Sequence, residues 1–205
     1  MKPLKLPPTI RTTRPDEIPS SPDLLERIKE RDVANIVEGF TILSNLTDES
    51  AFQFYAEINI DNERLWDLLR ALVVLMPDFV SFIYGHIDKD LSFSAYLDKY
   101  ELLNKLEDFK SALTQDGFLE FGVICQDDAS LNEIFVKKAK YVQYWFWEDQ
   151  PFRALMDRFG ISETADLNFI DEFPMTTEAL FLHDPDAMET EDLLASLKMI
   201  FGQGQ

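Results

Sequence analysis

Cysteine, histidine and basic residues are scarce in this sequence, and each shortage removes a class of chemistry. The lone Cys125 forbids an intrachain disulfide, and its apolar neighbours predict a buried thiol, not a reactive one. His86 and His183 are the only histidines, and neither CxxC nor HExxH spacing occurs, so no familiar zinc ligand set can be assembled. GxGxxG and GxxxxGK[ST] phosphate loops and the GxSxG nucleophile turn are also missing. The acidic run HDPDAMETED has the wrong spacing for a calcium loop. No metal, no cofactor and no catalytic residue is therefore expected.

Long apolar runs are missing too. LLRALVVLM is too short to span a bilayer and is bounded by charges and Pro77. Prolines divide the opening MKPLKLPPTIRTTRPDEIPSSP, which is not expected to act as a secretory signal; a cytoplasmic location is expected. Basic residues number 19 against 38 acidic ones, for a net charge of -19. Such a field repels phosphates and anionic lipid, so neither nucleic acid nor membrane is an expected partner. The densest basic cluster, Lys137, Lys138 and Lys140, matches no RNA-binding consensus and reads as a turn or sheet edge. The charge favours encounter with a basic protein, with simple solubility as the competing explanation.

What the chain does have is apolar area. A hydrophobic fraction of 46% and 17 phenylalanines supply a core that needs neither metal nor disulfide. The stretch from Gly117 to Gly160 is the most informative. GFLEFGVIC is an apolar strand, QDDASLNE a polar span, and IFVKKAKYVQYWFWED an aromatic hairpin. FRALMDRFG then places Phe152, Leu155, Met156 and Phe159 on one helical stripe after the break at Gln150-Pro151. An earlier stretch repeats the scheme: GFTILSN and FQFYAEINI precede ERLWDLLRALVVLM. In FQFYAEINI, Phe52, Phe54, Ala56, Ile58 and Ile60 alternate with Gln53, Tyr55, Glu57 and Asn59, giving one packed and one wetter face.

These patterns predict an α+β fold, a predominantly antiparallel β-sheet with helices packed on one face. Residues 39–114 and 117–200 are readable as two related β-β-α halves of a single domain spanning 21–200. Residues 1–20 form a proline-rich extended arm, which packs across the body or stays poorly ordered, and 201–205 a frayed tail. Ser21 and Asp61 are placed to cap helices, FVSFIYGHI to be a strand covered on both sides, and AYLDKYELLNKLEDFKSALTQDG to be one long helix. LNFIDEFP reads as a short edge strand stopped by Pro174, and Thr176 to Glu178 as the opening of a helical turn.

The sharpest charge asymmetry is the span 159–197, which holds no Lys or Arg while carrying Glu163, Asp166, Asp171, Glu172, Asp184 and Asp186 among its acids. Small size, acidity, aromatic strands and the strand openings Gly39-Phe40 and Gly117-Phe118 give the chain its overall character. In that character it resembles the immunity proteins of bacterial polymorphic toxin systems. The resemblance implies inhibition of a cognate toxin by surface occlusion, with no catalytic residues. On it, Glu163, Asp166, Asp171 and Glu172 would meet basic toxin groups, Asp184 and Asp186 would add field, and Trp145 or Trp147, if exposed, would anchor the contact. An ordinary solvated acidic face with both tryptophans in the core is the competing reading. Two others stay open: a carboxylate enzyme pairing Glu57 with Asp61, Glu120 or Asp127, and a homo-oligomeric structural protein.

Overall fold

The computed structural model describes residues 2–17, 22–45, 47 and 50–202. The expected cap at Ser21 and residues 203–205 of the expected tail lie outside them. In chain order come β1 (Ile10–Thr12), α1 (Pro22–Val33), β2 (Gly39–Ser44), β3 (Phe54–Asn59), α2 (Asn62–Leu75) and β4 (Phe79–His86). Two short strands, β5 (Ser92–Phe93) and β6 (Leu97–Asp98), lead to α3 (Lys99–Leu106) and α4 (Lys110–Gln115). A meander of β7 (Leu119–Gln126), β8 (Leu131–Val136) and β9 (Val142–Phe146) precedes α5 (Asp149–Phe159), β10 (Met175–Thr177) and α6 (Thr190–Phe201).

Eight strands form one sheet in the order β2-β3-β9-β8-β7-β4-β5, with β6 also on β4, and every pairing is antiparallel. The meander lies between β3 and β4, so strands of 39–114 and 117–200 share one sheet. Three intervening antiparallel strands leave β3 and β4 pointing the same way, and α2 crosses between them. Helices α2 to α6 all pack on the same sheet face. Leu65, Leu68, Leu69 and Leu72 of α2, Leu102 and Leu106 of α3, Leu113 of α4, Phe152 and Met156 of α5, and Leu193 and Leu197 of α6 join one core. They meet Ala56 and Ile58, Phe82 and Tyr84, Phe121 and Val123, Ile134 and Val136, and Tyr144 and Phe146. Phe152 packs its ring edge-on to Phe40 at 5.2 Å and 4.9 Å from Phe146.

Local chemistry sets the helix ends. Met76 is extended ahead of Pro77, which stops α2. Pro151 sits in the first turn of α5, where its missing N–H costs nothing. Gly160 closes α5 in the left-handed region at φ 67°. Asp98 caps α3 through the amides of Tyr100 and Glu101.

Four expectations change. Asp61 precedes α2 but makes no side-chain cap bond; its carboxylate accepts instead from the Lys5 amide at 2.8 Å and Lys2 Nζ at 2.9 Å. Burial opposes ionisation there, yet these bonds hold its pKa below the ordinary value. The long helix is broken by a 3-10 turn at Glu107–Phe109, where Glu107 accepts from Trp66 Nε1 at 3.1 Å. Strand and turn are exchanged after Leu167: Ile170–Glu172 is a 3-10 turn with Phe169 and Ile170 buried in a second apolar cluster. Met175–Thr177 is the strand, because the arm offers β1 as its partner. The arm thus packs in cis: Leu4 donates to Ile36 O, Asn62 to Lys5 O, and buried Thr9 donates its hydroxyl to Gln115 O. Finally Phe201, assigned to the tail, is the last residue of α6 and is buried.

Candidate functional site

The sheet face opposite the helices carries three registered rows of side chains. The first runs Leu43, Tyr55, Trp145, Glu133, Ile124 from β2 to β7. The second runs Thr41, Glu57, Gln143, Phe135, Gly122. The third includes Asn59, Tyr141, Lys137 and Glu120, and here the chain covers its own sheet. Tyr141 meets Phe169 at 4.5 Å, and Asn59 Nδ2 donates to Asn168 O at 2.9 Å. The first two rows face away from the core that α2 to α6 share: Leu43 at their edge is 65% exposed, Tyr55, Glu57, Trp145 and Glu133 are half-buried, and Phe135 is buried.

Alternation places both aromatics and carboxylates on this open face. Tyr55 and Trp145, direct cross-strand partners, bring their rings to 4.9 Å at 39°. Tyr55 Oη donates to Glu57 Oε1 at 2.7 Å, and Gln143 Nε2 donates to the same oxygen at 3.1 Å and to Tyr55 Oη at 2.8 Å. Burial and the Glu57 carboxylate push the Tyr55 pKa well up. Glu133, directly opposite Trp145, is half-buried and has neither hydrogen-bond nor ion-pair partner among the described residues. Burial raises its pKa. Phe135 lies over Gly122, where an added Cβ would stand 2.5 Å from Ile134 O and 2.8 Å from the Phe135 ring. Only glycine lets that ring fill the row.

The residues named from sequence are spread over several elements. Trp145 belongs to the open face. Trp147 lies past the end of β9, with its Nε1 buried and unpaired among the described residues, and lines a cavity of about 300 Å³ with Leu75, Pro77 and Tyr144. Glu163 follows α5 and pairs with Arg153 at 2.7 Å, and Asp166 is exposed in the next turn. Asp171 and Glu172 share the 3-10 turn beside Tyr141; burial raises the Asp171 pKa, against the pull of Lys138 and Lys137. Glu172 accepts from Asn168 Nδ2 at 2.8 Å. Asp184 and Asp186 are exposed in the link from β10 to α6.

The carboxylates considered as partners of Glu57 are engaged elsewhere: Asp61 with Lys2, Glu120 with Lys137 at 3.0 Å, and Asp127 with the Ala129 and Ser130 amides. Among the described residues no three metal-ligating side chains converge. His86 Nδ1 accepts from the Asp88 amide, His183 Nε2 lies 2.7 Å from Glu178, and the half-buried Cys125 thiol is pushed up by burial. Lys140 is the one basic side chain of its cluster drawn inside. It takes φ 61° in the β8–β9 turn, and its Nζ donates to Leu113 O and Leu119 O at 3.1 and 2.8 Å.

Sequence reasoning identified Tyr55 and Glu57 as a polar strand face and missed Glu133, because QDDASLNE reads as a polar span and β8 begins inside it at Leu131. No family model, curated protein or solved structure matches the chain.

Proposed function

We propose that this chain is an acidic protein-binding module that occludes the surface of a basic partner, in the manner of a toxin-neutralising immunity protein. The observation that carries this reading is the open sheet face, where the tilted ring pair of Tyr55 and Trp145 lies between Glu57 and Glu133, carboxylates with no cation partner among the described residues. A half-exposed ring pair supplies desolvated contact area, and the flanking acids fix register against a basic surface. The net charge of -19 accelerates encounter with such a surface and disfavours nucleic acid. Glu163 is committed to Arg153, so the sheet face and not the acidic span supplies the centre of the contact; exposed Asp166, Asp184 and Asp186 contribute long-range field.

The test is native purification with mass identification of any stoichiometric partner, followed by co-expression to see whether the chain suppresses that partner's toxicity. Recovery and neutralisation of a basic toxin domain support the proposal. Repeated recovery with a bound small molecule and no protein overturns it.

One observation favours self-association as a second reading. On the outer edge of β2, Phe40 bonds to Ser162 and Thr164, whereas the backbone groups of Ile42 and Ser44 have no partner among the described residues. No charge or proline guards that strand. Mass measured against concentration by light scattering decides it.

A further inference from the structure

We propose that the Trp145–Glu133 step of the open face is an arginine site, in which a guanidinium lies on the indole and pairs with the Glu133 carboxylate. This inference rests on the reading that the face meets a basic protein, and it names the chemistry that the face selects.

Register brings the two groups together. As direct partners on adjacent antiparallel strands, Trp145 and Glu133 have Cβ atoms about 5 Å apart. Both are half-buried, so an arriving cation meets a partly desolvated carboxylate beside a ring face. A carboxylate so placed carries a desolvation cost that nothing among the described residues offsets. The lysine nearest along its own strand, Lys137, is committed to Glu120 at 3.0 Å and sits 5.3 Å over the Phe135 ring. Glu57 stands diagonally across Trp145 and is held by the neutral donors Tyr55 and Gln143, so its charge adds to the attraction without competing for geometry.

The pairing of a flat ring with a two-oxygen acceptor selects arginine over lysine. A guanidinium is planar, weakly hydrated and able to stack on an indole while presenting two N–H groups to one carboxylate. An ammonium is more strongly hydrated and offers no plane to stack.

The experiment titrates the full chain with hexa-arginine and, separately, hexalysine at about 150 mM salt, where remote surface charges are screened. Binding is read by calorimetry and by tryptophan fluorescence. The expected result is a preference for hexa-arginine of about tenfold in the wild type. Glu133→Gln, which preserves shape, should reduce that preference to about twofold or less. Asp67→Asn, an equal change of charge at an exposed position of α2 on the far side of the sheet, should leave it intact. Equal affinity for the two peptides overturns the proposal, as does a Glu133→Gln variant that behaves like Asp67→Asn. A toxin recovered from native extract whose affinity is untouched by Glu133→Gln overturns the arginine site but leaves the occlusion reading standing. Arginine preference that depends on Glu133, with the chain repeatedly recovered with a bound small molecule and no protein, supports the site and removes the occlusion reading.

Discussion

Lys140→Met should erase a pH dependence of stability that the wild-type chain carries above neutrality. The Lys140 amine is buried between Leu113 O and Leu119 O, and burial drives its pKa from 10.5 down to about 7 against the opposing pull of Asp116 and Glu120. The unfolded chain keeps this amine protonated up to its ordinary value. Between those two limits the unfolded state binds more protons than the folded one, so stability rises with pH across the window, and the cost of burying the charge is greatest below it. Integrating that one-proton difference over the two pH units above neutrality gives about 2 kcal/mol. Tyr55, Tyr141, Tyr144 and Cys125 are all pushed up by burial, so ionisation of their unfolded forms lowers stability at the alkaline end. Subtracting the variant's profile from that of the wild type cancels this contribution. Urea melts across the window give the midpoint and slope needed. The wild type should gain about 2 kcal/mol more than Lys140→Met, and Lys140→Gln, which keeps an N–H donor, should flatten in the same way. Parallel profiles for all three proteins would refute a buried, titrating amine.

Three further perturbations act on packing. Tyr84 is 2% exposed and its hydroxyl is buried without a partner among the described residues, so Tyr84→Phe should stabilise the chain by about 1 kcal/mol, seen as a higher urea midpoint at unchanged slope. Gly122→Ala drives a methyl into Ile134 O, a backbone atom that cannot swing aside; a loss of at least about 2 kcal/mol is expected in the same assay. Lys99 Nζ donates to Met76 O at 2.7 Å and Val74 O at 3.2 Å, so Lys99→Met strands two carbonyls at the end of α2 and should cost about 2 kcal/mol. Amide exchange in the last turn of α2 should rise with it.

The fold class was readable because its evidence is local. Period two in β3 places Ala56 and Ile58 inward and Tyr55 and Glu57 outward, and the leucine stripe of α2 needs only helical spacing. What escaped depends on distant partners. Met175–Thr177 becomes a strand because residues near the other end of the chain pair with it, and Asp61 forgoes its cap because Lys2 and Lys5 arrive from the arm. The acidic span looked like the natural recognition element, but Glu163 and Glu172 are engaged by neighbours whose proximity no spacing rule reveals. The pairing of Glu133 with Trp145 likewise requires the β8–β9 register, which follows from the turn at Lys140 and from β8 starting within a polar stretch. The open sheet face was visible as an alternation, whereas its charge balance was not.

The most direct test of binding through that face is the affinity of the natively recovered partner, freed of the wild-type chain, for Trp145→Ala, measured by calorimetry beside the wild type. A central ring in the contact predicts a loss of at least about 30-fold, the scale of an aromatic hot spot. An affinity within about threefold of wild type, in a variant that still folds, would place the contact elsewhere on the molecule.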